Sequence, residues 1–109
     1  MIDWDRVREL RSEIGPEDFE EVVSLFLEEA DEAIARLSVG LGAKVLAADL
    51  HFLKGAALNL GFASLSGLCQ DGERRAGAGD VSVDLDAVRA AYAACRVELE
   101  ADAAQAFAA

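Results

Sequence analysis

The chain contains one histidine, His51, which makes it the first residue to consider for chemistry. An imidazole can act as a nucleophile, a general base or a metal ligand. The only two lysines, Lys44 and Lys54, both fall within about 60° of His51 when a helix advances about 100° per residue. A neighbouring cation favours the neutral, nucleophilic imidazole, and it also offsets the negative charge of an anionic group that becomes attached to the ring. Lys54 is close enough for contact, whereas Lys44 acts only electrostatically.

The segment around His51 predicts a helix over 43–60 that displays this histidine. Five apolar side chains share one side of the helix: Leu46, Leu50, Leu53, Ala57 and Leu60. His51 lies nearly opposite, so we expect it to be exposed. Ala47, Ala48, Gly55 and Leu58 share its face. A glycine inside a helix costs roughly 1 kcal/mol relative to alanine, and Gly55 therefore suggests a close approach by another molecule.

Composition and charge exclude several classes of function. The formal net charge is −11, from 21 acidic and 10 basic residues, which disfavours binding to nucleic acid or to a membrane surface. No apolar stretch approaches the roughly 20 residues of a membrane span, and the first residues lack a secretory signal pattern. We expect a cytoplasmic protein in which Cys69 and Cys95 are buried free thiols.

Two other classes of protein are alternatives to one in which His51 is a nucleophile. A di-iron bundle needs Glu-x-x-His pairs, but Ala48 stands three residues before the only histidine, so this alternative fails. A helical adaptor or dimerisation domain without phosphate chemistry stays open. Nothing in the sequence indicates a phosphate-binding glycine loop, a Ser/His/Asp arrangement or an ATP-binding segment.

The hydrophobic periodicity predicts an all-α fold, an up-down antiparallel four-helix bundle with a short additional N-terminal helix. The predicted helices cover about 3–13, Pro16 to about Ser38, 43–60, 63–77, and a last helix that begins after Ser82 or Asp84 and extends towards Phe107. Asp3 and Gly61 are the expected caps. The fourth helix carries its stripe on Leu65, Leu68, Cys69, Gly72 and Ala76. We expect one domain over 1–109.

The string His51-Phe52-Leu53-Lys54-Gly55-Ala56-Ala57, followed by Leu60-Gly61, resembles the signature of histidine phosphotransfer domains. The resemblance continues through Leu65, Leu68, Cys69 and Gln70. It extends upstream to the segments 15–19 and 26–30, so that it covers most of the chain.

That resemblance implies a role for each matching residue. His51 would be phosphorylated on Nε2, Lys54 would contact the phosphoryl group, and Gly55 would give it clearance. Glu73 would orient the imidazole through Nδ1. Gly72 departs from the family pattern, which usually has a large aliphatic residue there, and the sequence leaves open whether a void or a close helix approach results.

The implied function is a phosphoryl relay between a sensor kinase, or its receiver domain, and the receiver aspartate of a response regulator. The chain would be a monomeric phosphocarrier without autonomous kinase or phosphatase activity. It would need no cofactor, because the receiver supplies Mg²⁺. We expect partners to dock on an apolar surface that includes Ala47, Ala48, Leu58, Ile14 and Leu25. A helical adaptor that keeps this fold without phosphotransfer is the alternative.

Overall fold

The computed structural model describes residues 1–106, which form five α-helices and one 3₁₀ turn. The helices are α1 (Trp4–Ile14), α2 (Phe19–Arg36), α3 (Ala43–Leu60), α4 (Ala63–Gly77) and α5 (Leu85–Ala106), and the 3₁₀ turn covers Val39–Leu41. The all-α architecture expected from the sequence is confirmed. Among the described helices, none has the length and hydrophobicity of a transmembrane span.

The helix ends follow from residues that satisfy free backbone groups. The Asp3 side chain accepts a hydrogen bond from the Arg6 amide at 3.2 Å, and Asp84 Oδ1 accepts one from the Ala87 amide at 3.0 Å. Gly61 ends α3 in the left-handed conformation, with φ of 72°. A Cβ at Gly61 would lie 2.6 Å from the Asp3 carbonyl oxygen, so the close chain crossing also requires glycine there.

Two predicted helix boundaries were wrong. α2 begins at Phe19 rather than Pro16, because residues 15–18 form a turn in which the Asp18 amide donates to the Gly15 carbonyl at 3.3 Å. Pro16 takes the second position of that turn, where its fixed φ is favoured. α2 also ends at Arg36 rather than near Ser38, whose side chain accepts from the Gly40 amide at 3.0 Å and caps the 3₁₀ turn.

The four long helices pack antiparallel to their neighbours. Arg36 at the end of α2 lies beside Asp49 near the middle of α3, with Nε 3.6 Å from Oδ1. Between α2 and α5, the Tyr92 hydroxyl donates to Asp31 Oδ1 at 2.5 Å. Arg89 of α5 donates to the Leu37 carbonyl at 2.7 Å, so these contacts fix the register between the two helices.

The short helix α1 closes the end of the bundle at the α3–α4 turn. The Asp3 amide donates to the Gly61 carbonyl at 2.6 Å, and Ile2 forms an isolated antiparallel bridge with Phe62. Phe62 is fully buried. The N-terminal segment therefore packs over the end of α3 and stabilises the position of that helix.

The core is apolar, and none of the polar or charged side chains that the structure describes is buried. Cys69 and Cys95 are buried free thiols, which confirms that prediction. Leu68 was wrongly placed on the core stripe of α4, because it stays 38% exposed while Leu65 and Cys69 fill the interior. The prediction for Phe107 lies outside the described residues.

Gly72 allows a close approach between α3, α4 and the segment before α5, and it also lines a pocket of about 170 Å³ next to Val83 and Val88. A Cβ there would lie 2.9 Å from Leu50 Cδ1 and 3.0 Å from Val83 Cγ1. We expect Gly72→Leu to lower the free energy of unfolding by about 1–3 kcal/mol through overpacking. Urea denaturation monitored by circular dichroism measures this change.

Gly67 provides the matched control on the same helix, because a Cβ there would meet nothing within 4 Å. Gly67→Leu should leave stability unchanged or raise it by up to about 1 kcal/mol through helix propensity. Equal stability changes in the two variants would show that Gly72 is not required for packing.

Candidate functional site

α3 presents His51 to solvent because its opposite face is anchored in the core. Leu46, Leu50 and Leu53 are fully buried, and the predicted apolar stripe of α3 is thereby confirmed. The His51 side chain is 69% exposed. Three buried leucines fix the rotation of α3 about its axis, so the exposure of His51 on the opposite face is a consequence of core packing.

Glu73 of α4 fixes the orientation of the imidazole. Its Oε2 lies 2.8 Å from His51 Nδ1. An ionised carboxylate only accepts hydrogen bonds, so Nδ1 must carry the proton and donate it. In the neutral ring, the lone pair that can attack an electrophile is then on Nε2. The sequence analysis named Glu73 only through the family resemblance, and the structure brings it into contact with His51.

Lys54 binds the other oxygen of the same carboxylate, with Nζ 2.8 Å from Glu73 Oε1. The Lys54 and Glu73 side chains are both only about a quarter exposed, at 24% and 26%. The Lys54 ammonium, opposed by partial burial and assisted by His51, lowers the pKa of Glu73 below its usual value of 4.5. Glu73 is therefore ionised at neutral pH and contacts both His51 and Lys54.

Cys69 lies one turn before Glu73 on α4 and is fully buried. Burial, with a smaller effect of the Glu73 carboxylate, raises the pKa of its thiol to about 12. A thiol of that pKa is protonated at neutral pH and is a poor nucleophile. Cys69 thus contributes packing below the site, which leaves the exposed His51 imidazole as the candidate nucleophile.

The surface beside His51 is open at the positions that the sequence predicted to be small or apolar. Gly55 is exposed, and a Cβ there would meet nothing within 4 Å, so no contact among residues 1–106 requires glycine. Ala48 is exposed, and Leu58 is 56% exposed on the same face. Ala47 is half-buried and packs against the core.

The remaining predicted site residues are Lys44, Leu25 and Ile14. Lys44 is exposed in the first turn of α3 and forms no ion pair within the part of the chain that the structure describes. Leu25 is exposed on α2, whereas Ile14 is half-buried against the core at the end of α1. Their roles in charge balance and docking stay predictions.

A pocket of about 310 Å³ between α2 and α3 was missed by the sequence analysis. Its lining includes Phe26 and Glu29 from α2, and His51, Phe52 and Gly55 from α3. Phe52 lies off the core stripe of α3, which was the available signal for an exposed aromatic ring beside His51. The contribution of α2 was not available, because it depends on the register between two helices.

No group of three or more His, Cys, Asp and Glu side chains within the described residues is arranged to hold a metal ion. The titratable groups that contact one another at the site are one imidazole, one carboxylate and one ammonium: His51, Glu73 and Lys54. This set can orient a nucleophile and balance charge around it.

The fold and site define a class of protein, an all-α bundle that displays one carboxylate-oriented histidine. A family model described as the Hpt domain matches residues 21–107 of the chain. The chain belongs to the Hpt domain family, whose members are phosphocarriers in two-component systems and interact with kinases and response-regulator receivers. Searches of curated proteins and of solved structures found no match to the chain.

Proposed function

We propose that this protein relays a phosphoryl group through Nε2 of His51, between a sensor kinase or its receiver domain and the receiver aspartate of a response regulator. The observation that carries the proposal is the exposed imidazole whose Nδ1 is held by Glu73 at 2.8 Å. With the proton on Nδ1, the lone pair of the neutral ring is on Nε2, and the side chain that carries it is 69% exposed. Family membership supports the general activity, and the geometry of these residues supports the assignment of the acceptor atom.

In the proposed reaction, the Nε2 lone pair attacks the phosphorus of a phospho-aspartate as the bond from phosphorus to the aspartate oxygen breaks. The aspartate leaves as a carboxylate, and Nδ1 keeps its proton on the hydrogen bond to Glu73. Transfer to the next receiver reverses these bond changes. The receiver supplies Mg²⁺ and most of the charge stabilisation, so the chain itself contributes position and local electrostatics.

Lys54 has two anionic partners in this scheme. In the structure its ammonium lies 2.8 Å from Glu73 Oε1. Once the phosphoryl group is on Nε2, its negative charge competes with Glu73 for the same ammonium. We propose that Lys54 moves towards the phosphoryl group in the phosphorylated state, and that Lys44 contributes a more distant positive charge.

The proposed receiver-binding surface surrounds His51 and includes the exposed apolar side chains Leu25, Phe52 and Leu58 with the small residues Ala48 and Gly55. Apolar contacts suit this purpose because the chain itself carries a formal charge of −11. We propose that the protein acts as a monomer in the cytoplasm, where its kinase and receiver partners would meet it.

The direct test is transfer of a radiolabelled phosphoryl group from a hybrid kinase or phospho-receiver to this protein. We expect an acid-labile and alkali-stable label, which is the stability pattern of phosphohistidine. Absence of label from a broad panel of donors would contradict the relay and favour the helical adaptor, in which His51 is only a surface residue.

Gly55→Ala should raise the stability of the chain while it hinders the approach of a protein partner to His51. The added methyl group meets no atom of the described chain and removes a glycine from a helix interior. We therefore expect a gain of up to about 1 kcal/mol in the free energy of unfolding. Transfer from a receiver domain should slow by more than direct labelling by the small donor phosphoramidate. Equal effects on both donors would show that Gly55 does not provide clearance for a protein partner.

A further inference from the structure

The pocket beside His51 combines aromatic walls with a polar edge. Phe26 of α2 and Phe52 of α3 contribute rings, and Gly55 leaves the wall nearest the imidazole without a side chain. Glu29 contributes a carboxylate on the α2 side. The pocket therefore has a volume of about 310 Å³, and its lining combines two aromatic residues with one acidic residue.

The Glu29 carboxylate is available to a partner. It is exposed, and it forms no ion pair with any side chain within the part of the chain that the structure describes. Arg36 does not neutralise it, because that guanidinium lies 3.6 Å from Asp49 and 5.8 Å from the centre of the Phe52 ring. The unpaired charge adjoins the histidine that would carry a phosphoryl group, so it would repel that group unless a cation lies between them.

We propose that this pocket receives a lysine or arginine side chain from the receiver domain that docks on His51. The inference rests on the proposed function and adds the chemistry of the partner to it. The aliphatic stem of such a side chain would pack between the rings, and its charged head would pair with Glu29. The same cation would reduce the repulsion between Glu29 and the phosphoryl group. A chain with a formal charge of −11 would thereby favour receivers that present a positive charge at this position.

The first experiment tests the chemistry of the pocket without any protein partner. The full chain is titrated with n-butylguanidinium, which resembles an arginine side chain, and with n-butylurea, its neutral isostere. Amide proton–nitrogen correlation spectra report where each probe binds. We expect shifts centred on Phe26, Phe52 and Gly55 with the guanidinium probe and weaker binding of the urea.

Two variants on α2 decide whether Glu29 is responsible. Glu29→Gln should weaken the guanidinium probe about two- to fivefold, the range for an exposed ion pair. Glu28→Gln is the matched control, because Glu28 is exposed but does not line the pocket. Equal binding of the two probes, or equal effects of the two variants, would overturn the assignment of a cationic occupant.

The second experiment uses a receiver domain as the phosphoryl donor. Glu29→Lys places a cation opposite the proposed cation of the receiver, so transfer should slow about tenfold or more. Glu28→Lys makes the same change in net charge next to the pocket and should slow transfer much less. Equal rates in both variants would overturn the docking assignment. If no receiver transfers a phosphoryl group to the wild-type chain, the proposed function has failed, and a receiver domain is no longer the source of the cationic side chain. The probe titration still decides which kind of side chain the pocket accepts.

Discussion

The variant His51→Gln is expected to fold like the wild type and to accept no phosphoryl group. Glutamine lacks the nucleophilic imidazole nitrogen, but its amide can still donate a hydrogen bond to Glu73. The side chain at this position is 69% exposed, so the core keeps its packing. We expect a change of less than about 0.5 kcal/mol in the free energy of unfolding. Urea denaturation and the phosphoryl-transfer assay measure the two properties separately.

The chain has no other histidine that could carry the label, because His51 is the only one. An acid-labile, alkali-stable label that is present on the wild-type chain and absent from His51→Gln is therefore assigned to this residue, and phosphoramidate should label the wild type but not the variant. Label of the same stability on His51→Gln would place the acceptor elsewhere. Unfolding of the variant would contradict the interpretation of His51 as a residue displayed away from the core.

The elements of the fold that depend on local sequence could be predicted. The spacing of Leu46, Leu50 and Leu53 identified the buried face of α3, and the same spacing placed His51 opposite to it. Caps were predictable for the same reason, since the Asp3 side chain and the Gly61 backbone act on groups within a few residues.

Features that depend on the register between helices could not be obtained from periodicity. His51 and Glu73 are 22 residues apart, and their contact depends on how α3 and α4 pack. The family resemblance suggested Glu73, but it did not show that Lys54 binds the same carboxylate. The pocket between α2 and α3 was missed for this reason. Leu68 was misplaced because a stripe on a helix wheel is wider than the part that a neighbouring helix covers.

Glu73→Ala is expected to slow phosphoryl transfer by about 10- to 100-fold, which corresponds to the loss of a charge-assisted hydrogen bond worth about 1.5–3 kcal/mol. Without the carboxylate, the imidazole can rotate, and its proton can occupy either ring nitrogen. Only the tautomer with the proton on Nδ1 has its lone pair on Nε2. Nitrogen chemical shifts of the His51 ring measure this distribution and should show a single tautomer in the wild type and a mixture in the variant.

Comparison with Glu73→Gln separates orientation from charge. The amide oxygen can still accept from Nδ1, so the ring tautomer should be kept and much of the rate restored, while the ion pair with Lys54 is lost. Asp71→Asn is the control for net charge, because Asp71 pairs with Arg74 and Arg75 on the same helix.

The direction of the Glu73 pKa also gives a pH dependence. This pKa is below its usual value of 4.5 in the folded chain, so the stability that the ionised group contributes is present above about 4.5 and is lost as the pH falls through the lowered pKa. Glu73→Gln should remove that acid-sensitive contribution, measured as urea denaturation over an acidic pH series.

If Glu73→Ala keeps both the wild-type rate and the single tautomer, Glu73 does not position His51. A slow variant with an unchanged tautomer would instead assign the effect of Glu73 to the Lys54 ion pair.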